Sequence, residues 1–227
     1  MRKLSLGIAG AAALAMSSAA GAAIIVGSIT PGVAPYAGPA PTYTFDPGSR
    51  PGNNGGSFVS GDVGSASSAQ PFGTHAGTGA YGGLGYYYTV GPDEGNPGTL
   101  NLTGFGDITS LSFIWGSMDD YNTLDFCQDA LCTTILQTFN GIAVNPTANH
   151  SRIDPAQNPL VTFLLSGNDV TNFNYLRLTS NQNAFEIDNL SINPVPEPAT
   201  WAMMLVGFAG IGMSLRRRRQ TVLAQIA

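Results

Sequence analysis

Ser110-Leu111-Ser112-Phe113-Ile114-Trp115-Gly116 carries the sharpest periodicity in the chain: Leu111, Phe113 and Trp115 fall on one side of an extended backbone, and Ser110, Ser112 and Gly116 bracket the other. A period of two with an apolar, aromatic face is the pattern of a β-strand set against a core. The same period continues outward. Upstream, Tyr86-Tyr87-Tyr88-Thr89-Val90 is aromatic and β-branched, Gly91 to Gly98 is a turn, and Thr99-Leu100-Asn101-Leu102-Thr103 alternates again. Downstream, strands are expected at Asn122 to Cys127, Thr133 to Phe139, Leu160 to Ser166, Phe173 to Thr179 and Ala184 to Asn193. Nearer the N-terminus, Ile29 to Ala80 is crowded with Pro, Gly, Ser and Asn, which marks loops between short strands such as Tyr43 to Phe45 and Ser57 to Ser60. Short strands parted by turn signals, with no helical period between the two ends, predict an all-β antiparallel β-sandwich of jelly-roll type over residues 24–193, one domain in size; a barrel is the alternative.

Both ends of the chain are apolar and differ in kind from this middle. Arg2-Lys3, the alanine-rich run Leu4 to Met16 and the small residues Ser17 to Ala23 have the layout of a cleavable signal peptide over residues 1–23. At the other end, Pro196-Glu197-Pro198 precedes 17 uncharged residues, 199–215, and then four arginines, Arg216, Arg217, Arg218 and Arg219. A helix of that length reaches roughly 25 Å against a hydrocarbon core of about 30 Å, so a single C-terminal transmembrane helix with little tilt is expected, Trp201 and the arginines reaching to the interfaces. Arginines are retained on the cytoplasmic side and act as the stop-transfer signal, which leaves residues 220–227 as a short cytoplasmic tail and places the sandwich outside.

The C-terminal stretch resembles the PEP-CTERM sorting signal, also called the ice-binding protein C-terminal motif, in its variant with Trp-Ala-Met after the prolines. Pro196-Glu197-Pro198, Trp201-Ala202-Met203, Gly207-Phe208 and the arginine run all fall in the order and at the spacing of that pattern, and Gly207-Phe208-Ala209-Gly210 departs by one residue from its frequent Gly-Phe-Gly. The resemblance spans 194–219. It implies that Pro196, Glu197 and Pro198, with Trp201, are recognised by an exosortase, an integral membrane cysteine peptidase that removes the tail and passes the protein to the cell surface. It also implies a Gram-negative bacterium that makes exopolysaccharide. On physical grounds the prolines suit this role, because they hold the backbone extended and present Glu197 at the membrane face.

Removing both ends changes the charge. Of nine basic residues, two precede the cleavage site and four follow the apolar segment, leaving Arg50, Arg152 and Arg177; against 14 acidic residues the mature region carries −11, and it has no lysine. Such a surface repels nucleic acid and anionic lipid and leaves polysaccharide, divalent cations or neutral surfaces as partners.

Three constellations bear on chemistry. Asp119, Asp120 and Asn122 lie in the connection after the strongest strand; hard oxygen ligands gathered in a loop suit a structural calcium ion, to which Asp188 and Asn189 would add oxygens, although an Asp/Asn-rich turn that caps its own amides has the same composition. This connection resembles a stretch that recurs in the extracellular domains of PEP-CTERM surface proteins, a likeness that fixes no activity. Cys127 and Cys132, the only cysteines, read as a disulfide clipping a hairpin in an exported chain. Glu186 and Asp188 fall on one side of a strand, as a glycosidase pair would, but there is no nucleophile elbow, zinc-protease helix, phosphate loop or dinucleotide-binding glycine pattern.

The expected function is therefore a non-enzymatic exported surface or extracellular-matrix protein, sorted by an exosortase and associated with exopolysaccharide or biofilm, needing no cofactor apart from the calcium ion just described. The alternatives are a calcium-assisted carbohydrate-binding module, with Tyr81, Tyr86, Tyr87, Tyr88 or Tyr121 stacking on sugar rings, and a polysaccharide hydrolase. The precursor is expected in the inner membrane with its C-terminus cytoplasmic, and the mature form at the surface or outside the cell.

Overall fold

The computed structural model describes residues 21–31, 38–60, 86–116, 118–147, 158–195 and 202–213. Within them run strands β1 (Ala23–Thr30), β2 (Gly52–Asn54), β3 (Ser57–Ser60), β4 (Tyr86–Val90), β5 (Gly98–Asn101), β6 (Ile108–Gly116), β7 (Asn122–Cys127), β8 (Ile135–Asn140), β9 (Leu160–Ser166), β10 (Tyr175–Ser180) and β11 (Phe185–Pro194). Two single-turn helices interrupt them, α1 (Gly141–Val144) and α2 (Asp169–Asn172), and residues 202–213 form a third, α3.

The strands make two sheets, a six-stranded one in the order β1-β9-β6-β11-β4-β3 and a five-stranded one in the order β2-β5-β10-β7-β8. Every pairing between them is antiparallel. Strands β4 to β11 run 4-11-6-9 in one sheet and 5-10-7-8 in the other, the doubled Greek-key winding of a jelly roll. Strands β1, β2 and β3 extend three of the edges.

The apolar alternation decides which way each strand faces. Leu111, Phe113 and Trp115 point inward from β6, and Leu176 and Leu178 from β10, whose burial alternates along its length. Phe126 of the five-stranded sheet meets Phe163 of the six-stranded sheet at 5.2 Å between ring centroids, and Phe139 and Phe173 close around it at 5.9 and 5.0 Å. Trp115 stacks on Phe185 at 4.5 Å. Full burial of each such side chain contributes about 1.5–3 kcal/mol, and this aromatic layer is where the two sheets are joined.

The other face of β6 is covered as well, since Ser112 and Ile114 are buried. Part of the cover is residues 38–43, tied along β11: Ser191 Oγ donates to Pro39 O and Ala40 O, Thr42 and Tyr43 amides donate to Leu190 O, and the Ile192 amide donates to Thr42 Oγ1. In β11 a bulge sets Asn189 and Leu190 opposite Phe113, with Asn189 in the left-handed region at φ 52°.

The differences from the sequence reading sit mostly at the N-terminal end. Strands β1 and β2 were not among the expected ones. The strand expected at Tyr43 to Phe45 is an isolated bridge from Tyr43 to Leu190, and Phe45 turns away at φ 58° into the core. The strand from Thr99 stops at Asn101, and Thr103–Phe105 is a 3-10 turn. Of the expected signal peptide, residues 1–20 lie outside the described residues, and β1 begins at Ala23, its last position. Of the expected transmembrane helix, 199–215, the described part is α3; at 1.5 Å per residue its 12 residues reach only about 18 Å. Among the described residues no helix is long and apolar enough to cross a membrane.

Candidate functional site

The connection from β6 to β7 carries Asp119, Asp120 and Asn122. Met118 inserts into the core and pulls the following residues inward, so Asp119 and Asn122 are buried while Asp120 stays at the surface. Asn122 Nδ2 donates to Asp119 Oδ2 at 3.2 Å and to Ala184 O at 3.4 Å, tying the connection to the start of β11, while Asn122 Oδ1 is buried with no partner. Gly141, the first residue of α1, packs against the Asp119 backbone so closely that a Cβ there would lie 1.9 Å from Asp119 O. Two of the three expected calcium ligands are thus brought together and Asp120 is set apart from them by exposure. Among the described residues no group of three or more His, Cys, Asp or Glu side chains is placed to hold a metal ion.

Glu186 and Asp188 flank inward-pointing Ile187, so they share a face of β11 as expected, and both are buried. Asp188 Oδ1 accepts the Asn189 amide at 2.6 Å, which supports the bulge, and both side-chain polar atoms of Asn189 are buried without a partner.

Cys127 and Cys132 are joined in a disulfide, with Cα atoms 5.0 Å apart. Asp129, inside that loop, organises it: Oδ1 accepts the amides of Leu131 and Thr133 at 3.1 and 3.0 Å, and Oδ2 accepts Thr134 N and Thr133 Oγ1 at 2.8 and 2.9 Å. These donors favour the ionised carboxylate, the Thr133 and Thr134 amides most, and hold its pKa at about 2. Sequence reasoning missed Asp129, although an Asp two residues into a tight loop is a known turn former.

The expected aromatic platform does not form from Tyr86, Tyr87 and Tyr88. Tyr88 is in the core, its Oη donating to Gly55 O at 2.9 Å, and burial pushes the phenol's pKa well above its ordinary value. Tyr87 is buried on the opposite face. Tyr86 packs against the core edge with the Arg50 guanidinium 5.0 Å over its ring. Tyr87 and Tyr88 are thereby withheld from a sugar ring, and Tyr86 alone of the three is half-buried, with Arg50 over its ring. Tyr121 is half-buried and Tyr81 lies outside the described residues.

The sandwich ends where the C-terminal segment begins. Strand β11 lies between β6 and β4, is buried along most of its length, and finishes at Pro194; the Val195 amide then donates to Asp107 O at 2.7 Å. Pro196, Glu197, Pro198, Trp201 and Arg216 to Arg219 lie outside the described residues. Helix α3 exposes Met203, Leu205, Val206, Phe208, Ile211 and Met213, and its glycines Gly207, Gly210 and Gly212 have no atom near where a Cβ would stand.

A completed β-sandwich followed at once by a proline-flanked carboxylate, an uncharged segment and a basic block defines a protein with a C-terminal sorting tail. The family model described as the PEP-CTERM protein-sorting motif matches residues 194–219, so the chain carries that motif at its C-terminal end. The motif implies processing by an exosortase, export and sorting to the cell surface. The match covers the tail and not the sandwich. No curated protein and no solved structure matches the chain.

Proposed function

We propose that this chain is a non-enzymatic surface or extracellular-matrix protein, held in the inner membrane by its tail until an exosortase releases it, and associated with exopolysaccharide or biofilm. The observation that carries the reading is the placement of the sorting motif directly after β11: a cut near Pro198 removes the tail and leaves every strand of the sandwich in place. A helix that is apolar on all sides and exposed along its described length belongs in lipid or in a core, and Phe208 is 62% exposed. Extending α3 through 199–215 brings it to roughly 25 Å, with Arg216 to Arg219 held on the cytoplasmic side and the signal peptide of residues 1–23 directing the sandwich outward. The lysine-free mature region, at −11, suits a neutral matrix rather than nucleic acid or anionic lipid.

Replacing Pro196-Glu197-Pro198 with alanines tests the sorting: export continues and release stops. Release at the wild-type rate from that variant refutes the role of the motif.

The second reading is a carbohydrate-binding module ordered by a structural calcium ion at Asp119 and Asn122, the two of the three expected ligands that the fold buries together. The buried, unpartnered Asn122 Oδ1 favours it, being an oxygen available to a cation. A melting temperature that falls on adding a chelator and returns with calcium supports this reading, and an unchanged one removes it.

A further inference from the structure

The outer face of the five-stranded sheet holds a cleft of about 290 Å³. Its floor is one lateral row across three strands: Gly52 of β2 stands opposite Asn101 of β5, and Asn101 opposite Tyr175 of β10. Tyr175 alternates with core residues Leu176 and Leu178, so its ring lies on the outside, half-buried. Gly52 has no side chain to fill the space beside Asn101, which keeps the row open at the β2 end. The Asn101 amide is fixed by accepting the Thr103 amide and Oγ1 at 3.0 and 2.8 Å through Oδ1, which leaves its nitrogen to donate. Asn54 and Thr99 add an amide and a hydroxyl along the next row.

The far wall is the disulfide loop. Cys127 stands opposite Tyr175, and the loop it starts brings Leu131 to the cleft with 78% of its surface exposed. That loop is pinned twice, by the Cys127–Cys132 bond and by four hydrogen bonds to Asp129. Leu131 therefore stands at the cleft wall on a held backbone, with its apolar side chain open to an incoming surface.

The lining carries no free charge. Arg177, next along β10 on this face, is consumed by Asp125: Nε and Nη2 donate to Oδ2 at 3.0 and 2.8 Å, and Thr138 Oγ1 donates to Oδ1 at 2.6 Å. A ligand that fits combines flat apolar C–H faces, for Tyr175 and Leu131, with many neutral hydroxyls, for amides that donate and accept at once. The volume falls just below the usual range of about 300–1,000 Å³ for small-molecule sites and matches one or two sugar rings of a longer chain crossing an open groove.

We infer that this cleft is a binding site for a neutral polysaccharide, with Tyr175 and Leu131 as the apolar contacts and Asn101, Asn54 and Thr99 as hydroxyl readers. The inference needs no calcium ion and uses none of the tyrosines expected from the sequence. It deepens the matrix reading by naming the polymer contact, and it rests on that reading only for where the polymer is met.

The test is calorimetry and saturation-transfer NMR on the detergent-solubilised full chain, with neutral gluco-, manno- and galacto-oligosaccharides from disaccharides to hexasaccharides and uronate oligomers for comparison. A neutral series binds with Kd in the range of about 0.1–1 mM. Tyr175→Ala weakens it at least about tenfold, Tyr175→Phe retains it, and Leu131→Ser, a change at the surface that spares the fold, weakens it about threefold. Absence of binding by every neutral oligosaccharide at millimolar concentration overturns the site, as do affinities indifferent to both Tyr175→Ala and Leu131→Ser, or a preference for uronates. Binding in detergent is independent of processing, so failure here leaves the sorting account standing, and failed release leaves this site standing.

Discussion

Gly141→Ala is the sharpest perturbation the structure offers. The methyl would stand 1.9 Å from Asp119 O, 2.7 Å from its carbonyl carbon and 3.1 Å from its nitrogen, all backbone atoms that cannot rotate away. Side-chain carbons stay beyond 3.0 Å, so either α1 or the β6–β7 connection must move by about 1 Å. The connection is held by Met118 in the core and by Asn122 bonded to Ala184 O, so motion there disturbs both sheets. Overpacking at a buried contact costs about 1–3 kcal/mol, and a clash against backbone on both sides belongs at the upper end, about 3 kcal/mol. For a domain of this size that is a fall of about 6–12 °C in melting temperature. Gly104→Ala is the internal control: it meets no atom within 4 Å and should lie within about 0.5 kcal/mol of the parent. Differential scanning calorimetry of the two variants decides the matter. Equal melting temperatures would show that α1 does not press on Asp119.

Two further outcomes follow from the disulfide loop. Replacing both Cys127 and Cys132 with serine releases a loop with a sequence separation of 5, for which loop entropy gives about 2 kcal/mol, or about 4–8 °C by thermal melting; no change, or outright unfolding, contradicts that assignment. Asp129 should titrate with a midpoint of about 2 by carboxyl carbon NMR, against an ordinary 3.8, because its folded form is held ionised by the Thr133 and Thr134 amides. Its contribution is complete above the ordinary value and is lost as pH falls through about 2, so acid loosens this loop between roughly pH 4 and pH 2. A midpoint near the ordinary value denies the hydrogen-bond hub.

The sequence was most readable where apolar, aromatic and β-branched residues are gathered between turn signals. Ser57 to Ser60, Tyr86 to Val90, Asn122 to Cys127 and Leu160 to Ser166 are strands with the bounds expected of them, because apolar and β-branched residues there do the packing. Strand β2, Gly-Asn-Asn, holds to β5 through its backbone and has no apolar residue to announce it. Strand β1 follows a leader-like run of small residues and reads as its continuation, although Ile24 reaches the core. The two-cysteine clip was readable from spacing and compartment. The fate of Asp119, Asp120 and Asn122 was not, because Met118 decides which of them turn inward and only the packed core shows it. The cleft beside Tyr175 was hidden for another reason: residues 52, 101, 131 and 175 meet only through the crossed order of β2, β5 and β10.

The central claim is that the tail is a removable handle on a complete sandwich. Intact-mass spectrometry of protein recovered from the cell exterior tests it most directly. The account predicts a chain that begins after Ala22 or Ala23 and ends at about Pro198, with β11 whole and the Cys127–Cys132 bond formed. A mass that still includes α3 and Arg216 to Arg219 on the exported protein contradicts it.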